Sequence, residues 1–191
     1  MTKFVQIVAV MIFTYSKQVI GGARMDNNDI LIRLRYALDL KNTEMVEIFN
    51  LGGVDVTKED VLKILTRTPD EEDEDAVHAN EHISCSNNML DSFLNGFITF
   101  KRGEQDPKPG QAPPAPVQSN QNMYNVLLKK VKIALSLTSE EMLEVFDDGG
   151  IRVSKAELGA LLRKKGHKNY KPCKENFARK FLRGLTVQYR G

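Results

Sequence analysis

Glu44-Met45-Val46-Glu47-Ile48-Phe49, followed two residues on by Gly52-Gly53-Val54-Asp55-Val56-Thr57-Lys58, returns later in the chain in altered form. The second version is Glu141-Met142-Leu143-Glu144-Val145-Phe146, then Gly149-Gly150-Ile151-Arg152-Val153-Ser154-Lys155. Working outward, a shift of 97 lays residues 28–65 on 125–162 with 14 identities in 38 positions. A second block, shifted by 88, lays 85–103 on 173–191 with 7 identities in 19. Self-similarity of this extent marks a duplicated module. Between the blocks the first copy is nine residues longer.

Each copy reads as four helices. Ile30, Leu31, Leu34, Ala37 and Leu38, matched by Leu127, Leu128, Val131, Ala134 and Leu135, lie at the spacing of one helix face. The second helix opens on a capping box at Thr138 and Glu141; the first copy has Lys41 there, so Asn42 is expected to cap instead. It stops at the paired glycines, where the left-handed conformation is cheap. Thr57 with Asp60, and Ser154 with Glu157, start the third helix. Met89, Phe93, Leu94 and Phe97, matched by Phe177, Phe181, Leu182 and Leu185, form the fourth. Gly96 and Gly184 inside it mark close approach of a neighbouring helix. The expected fold is all-α: two tandem copies of a small four-helix module, pseudo-twofold related, joined by a Pro-rich linker. The expected boundaries are 25–103 for copy one, 104–121 for the linker and 122–191 for copy two. The linker holds five of the seven prolines. The β-branched triplets Val54-Asp55-Val56 and Ile151-Arg152-Val153 favour extended backbone. On a pseudo-twofold axis they would pair side by side, with Asp55 opposite Arg152.

The net charge of +2 conceals a split. Residues 25–104 carry 8 Lys/Arg against 17 Asp/Glu, whereas 105–191 carry 16 against 8. Copy one is thus acidic and copy two basic. Two cysteines cannot form the disulfide framework of a small secreted domain, and a reduced cytoplasmic setting is the simpler reading. Residues 4–13 are apolar apart from Gln6, a signal-peptide outline too short to span a membrane. We expect residues 1–24 to be a mis-assigned start or a disordered leader, with translation beginning at Met25.

Further segments carry a family resemblance. They are Asn28-Asp29-Ile30, Arg35-Tyr36-Ala37-Leu38 and Phe93-Leu94-Asn95-Gly96, with His167-Lys168-Asn169-Tyr170 before Cys173 and Phe181-Leu182-Arg183-Gly184-Leu185. Together these resemble the YehS-like family of bacterial proteins, a tandem-repeat domain of unknown function. The resemblance covers residues 25–191 and implies no activity, catalytic residue or cofactor. The chain departs from the family pattern before Cys85, where its acidic insert replaces a shorter loop.

The chemical motifs are sparse. His78, His82 and Cys85 have a spacing that would suit zinc on a helix, but structural sites usually use four ligands and copy two keeps only Cys173. An exposed acidic loop is the simpler account. Cys85 and Cys173 precede Phe-rich helices with no base nearby, as small buried hydrophobes do. The run Asp147-Asp148-Gly149-Gly150-Ile151-Arg152 fails the register of a calcium loop. The acidic run at 70–75 reads as a solvated loop. No cofactor, metal or small-molecule substrate is expected, nor a catalytic constellation or membrane partner. Residues 163–184 differ: Arg163, Lys164, Lys165, Lys168, Lys171, Lys174, Arg179, Lys180 and Arg183 face only Glu175 in sequence, with Tyr170 and His167 interleaved. That pattern fits phosphate contacts with base stacking. Two function classes remain: a non-enzymatic interaction or regulatory module with a protein partner, or an RNA- or DNA-associated factor using 163–184. Both rest on the repeat-derived helix faces, which put Phe49, Phe93, Phe146 and Phe181 in the core. Replacing Phe146 by Ala should therefore destabilise the protein by about 3–5 kcal/mol in chemical denaturation; an unchanged midpoint would refute those faces.

Overall fold

Six of the eight helices among the described residues begin where a side chain satisfies their first backbone donors. Asp26, Thr57, Ser86, Asn122, Thr138 and Ser154 all accept from backbone N–H groups of the turn they precede. The computed structural model describes residues 24–66, 82–104 and 121–191. There the caps open helices α1 Asn27–Ala37, α3 Lys58–Ile64, α4 Asn87–Arg102, α5 Met123–Ala134, α6 Ser139–Asp148 and α7 Lys155–Leu162. The remaining two are α2 Asn42–Leu51 and α8 Glu175–Arg190. The N-cap of α2 is Lys41, not Asn42. Lysine has no acceptor, so only half a capping box forms: Glu44 takes the Lys41 N–H at 2.6 Å, while Asn42 accepts from Arg35 Nε at 3.0 Å.

The paired glycines divide two tasks. Gly53 and Gly150 adopt φ of 79° and 83° and end α2 and α6 in the left-handed region. Gly52 and Gly149 let backbones touch. A Cβ on Gly52 would lie 2.1 Å from the Ser92 carbonyl oxygen, and one on Gly149 2.0 Å from that of Lys180. From the other side, a Cβ on Gly96 would lie 1.9 Å from the Ile48 oxygen, and one on Gly184 1.7 Å from that of Val145. So α2 crosses α4, and α6 crosses α8, with nothing but backbone between them. The crossings bring Phe49 to 4.8 Å from Phe93 and Phe146 to 5.3 Å from Phe181, and all four rings are fully buried.

The two halves share one continuous apolar core. α4 packs on α5 and α1 on α8, so the largest helices of each half lean on the other half. The same contact is made in both directions. Arg102 donates to the Ile133 carbonyl at 3.4 Å, and Arg190, its repeat equivalent, donates to the carbonyl of Tyr36, the equivalent of Ile133, at 3.2 Å. Acid from the first half meets base from the second. Lys130 Nζ bonds the Asp91 carboxylate and reaches Asn95 Oδ1 at 2.7 Å, in a nearly buried cluster. Arg190 pairs with Asp39 at 3.2 Å and stacks 4.3 Å over the Tyr36 ring.

The triplet pairing expected from the sequence does not form. Neither 54–56 nor 151–153 is a strand, and no strand occurs among the described residues. The physical reason is local: the Val54 and Ile151 N–H groups already close the preceding helices, on the Phe49 and Phe146 carbonyls at 2.9 and 3.0 Å. Arg152 turns to Asp147 at 3.5 Å instead, in full solvent. The readings of residues 1–23, of the 70–75 run with His78, and of most of the linker lie outside the described residues.

Gly96→Ala and Gly184→Ala must push backbones apart and should each destabilise by about 3 kcal/mol or more. Gly159, inside α7, has nothing within 4 Å of its missing Cβ. There Ala should stabilise by about 0.5–1 kcal/mol through helix propensity. Thermal unfolding of the three variants checks both signs; tolerance of Gly96→Ala would contradict the crossing.

Candidate nucleic-acid interface

The basic segment is held by one buried amide. Asn125, in the first turn of α5, donates to the Leu161 carbonyl at 2.7 Å and the Lys171 carbonyl at 3.0 Å. Its oxygen accepts from Cys173 N at 2.8 Å and from the Tyr170 hydroxyl at 3.1 Å. Every hydrogen-bonding position of the side chain is thus used in an apolar setting, where an unmade bond is expensive. Asn28 does the same in the first half, donating to Ile64 and Ile83 carbonyls at 2.7 and 2.8 Å and accepting from Cys85 N at 2.9 Å. These asparagines latch the first helix of each copy to the end of the third and to the chain entering the fourth. Both are identical in the repeat, yet sequence reasoning passed over them; the signal was a shared amide on an otherwise apolar face.

The second latch makes residues 163–170 a closed excursion. Lys171 N–H returns to the Ala160 carbonyl at 3.1 Å, and turns at His167 and Tyr170 fold the loop between. Arg163, Lys164, Lys165 and Lys168 project from it into solvent, with Lys171 and Lys174 exposed on the strand of chain beyond. Lys129 of α5 supports the loop from beneath, its ammonium donating to the Arg163 carbonyl at 2.7 Å. Burial, and then the like charge of Lys164, draw the Lys129 pKa below the usual lysine value. Sequence reasoning missed Lys129, because its proximity depends on the α5–α7 packing. Glu157 answers part of this charge, 3.4 Å from Lys171.

Three of the ten candidate residues sit apart. Arg179 is held by Glu175 at 2.6 Å on the half-buried face turned to α1. Lys180 lies half-buried beside Gly150 at the α6 crossing. Arg183 is exposed on α8. Tyr170 belongs to the loop but faces inward through its hydroxyl. The other candidate chemistry is likewise structural. Cys85 and Cys173 are free, buried thiols, and burial pushes both up to about 12. His82 Nδ1 sits 3.1 Å from the Thr66 carbonyl oxygen. Among the described residues no three His, Cys, Asp or Glu side chains are placed to hold a metal ion, and no helix is long and apolar enough to cross a membrane.

Comparison with known sequences adds a family but no chemistry. Residues 27–103 and 124–191 match the profile described as "Protein of unknown function (DUF1456)". The chain is 36% identical over 164 residues to the uncharacterized protein YehS of Escherichia coli (strain K12), covering 86% of this chain and 96% of that protein. No solved structure matches.

The latch has a sharp test. Asn125→Ala strands four partners, two of them in fully buried bonds, and should destabilise by about 2–4 kcal/mol. Asn125→Asp has the same shape but sets a carboxylate against two carbonyl oxygens, so it should be no better tolerated than Ala. A near-neutral Asp variant in urea denaturation would contradict the assigned donors.

Proposed function

The chain belongs to the DUF1456 family, and we propose that it is a non-enzymatic binding module whose contact face is the basic loop of its second copy. Its two four-helix copies, 25–103 and 122–191, are related by a pseudo-twofold axis. The reciprocal Arg102–Ile133 and Arg190–Tyr36 contacts support that symmetry, since an isologous interface repeats each contact in both directions. The copies serve as scaffold for each other. Nucleic acid is the partner, engaged through its phosphates.

One observation carries this reading: four cations project from the eight-residue excursion 163–170, with a fifth, Lys129, tucked under it. A solvated helix face needs no such concentration, and like charges brought together raise the local attraction for a polyanion. The polar groups that would otherwise invite catalysis have structural employment. Both thiols are buried, and the Asn125 amide makes all four of its hydrogen bonds. Two free cysteines accord with a reducing cytoplasm. A protein with an acidic surface is the second reading, favoured by the Lys171–Glu157 pairing that already shows this face accepting carboxylate.

The test is affinity capture on the tagged full-length chain, with and without nuclease, across a salt series. Nucleic acid should co-purify at low salt, disappear on nuclease treatment and be released steeply as salt rises. A protein partner retained through both treatments, with no nucleic acid at low salt, would contradict the proposal.

A further inference from the structure

Resting on the nucleic-acid reading above, the geometry points to a more specific ligand: we infer that the loop binds the phosphate backbone of duplex nucleic acid without stacking on or reading bases. Proteins that hold single strands pair a basic track with aromatic platforms on which unstacked bases lie. The sequence of the segment offers two such side chains, and the structure spends both on the loop itself. The Tyr170 hydroxyl donates to Asn125 Oδ1 at 3.1 Å, which turns that half-buried ring toward the latch and away from the charged side. The His167 ring accepts the Asn169 N–H on Nδ1 at 3.1 Å, holding it against its own backbone. Phe177, the next aromatic along the chain, packs edge-on to Phe146 at 6.4 Å between ring centres.

Beside His167, whose ring is exposed but bonded to its own backbone, the exposed side chains are chiefly ammonium and guanidinium on long flexible stems: Arg163, Lys164, Lys165, Lys168, Lys171 and Lys174. Lysine is a rotatable point charge that suits phosphate and carries little geometric information about base edges. These groups project from a closed loop, not from a helix or ribbon that could enter the major groove and present side chains to the bases. A rigid duplex offers the denser phosphate array, one charge per about 1.7 Å of axis. An array of this kind is met without unstacking anything. In the sequence of copy one the counterpart stretch carries the acidic run at 70–75, whose charge repels phosphate.

Fluorescence anisotropy on the full-length chain tests this with a short labelled duplex, each of its separated strands, and a duplex of unrelated sequence. The duplexes should bind alike, and at least as tightly as either strand. The logarithm of affinity should fall against the logarithm of salt with a slope of about −4, as expected for four to five neutralised phosphates. Lys164→Gln with Lys168→Gln should weaken duplex binding by about tenfold and flatten the slope by about 2. Tyr170→Leu and His167→Ala each remove a ring together with a hydrogen bond that the loop uses, so any loss should fall equally on duplex and single-strand affinity. A strong preference for single strands, or selective loss of single-strand binding in Tyr170→Leu or His167→Ala, would overturn the inference while leaving the nucleic-acid reading intact. Absence of binding to every probe at low salt would remove both.

Discussion

Two helix crossings with no side chain between them set the geometry of everything else. At Gly52 with Gly96, and at Gly149 with Gly184, the place of each missing Cβ falls within about 2 Å of a backbone atom of the partner helix. Any other residue would force the axes apart, and the phenylalanine pairs beneath would lose their contact. Because α2 and α6 sit so close, they take one side of α4 and α8, and the other copy packs elsewhere on these helices. The long helices therefore have one face for their own half and one for the partner. A module with a core this thin buries too little alone, which explains why the copies occur fused and why α1 leans on α8 and α4 on α5.

Much of this is legible in the sequence. The repeat aligned the glycines, the apolar faces and the caps, and these are local properties that a backbone cannot disguise. Gly96 and Gly184 could be assigned to close approach because a glycine inside a helix has few other uses. What failed was inference across distance. The β-branched triplets looked like strands by side chain alone, but their first N–H groups were already committed to ending a helix. Tyr170 looked like a stacking residue because sequence shows the ring and hides where its hydroxyl goes. Lys129 belonged to α5 on paper and to the basic loop in space. Asn28 and Asn125 were visible as identities but not as latches, since their partners lie 36 to 57 residues away.

The charge split has a part in docking as well as in any partner contact. Asp91 with Lys130, and Asp39 with Arg190, both run from acidic copy to basic copy. The exposed Asp39 pair adds little energy. The nearly buried Asp91–Lys130 cluster matters more as a constraint: breaking it would leave a desolvated charge, so it disfavours other docking registers. The equivalent positions at the reciprocal contact are Arg179 and Arg33, two cations, so their acids come from elsewhere, namely Glu175 and Asp29. The symmetry of the backbone thus outlives the identity of the side chains that decorate it.

The central claim is that the two copies share one core and so fold as a unit. Each copy carries one buried thiol, which supplies a built-in probe. Brief thiol labelling of the full-length protein across a denaturant series, with Cys85 and Cys173 resolved by peptide mass, measures the opening of each half separately. Both thiols should become reactive at the same denaturant concentration and with the same steepness. Two separated midpoints, with one thiol exposed while the other stays protected, would contradict it.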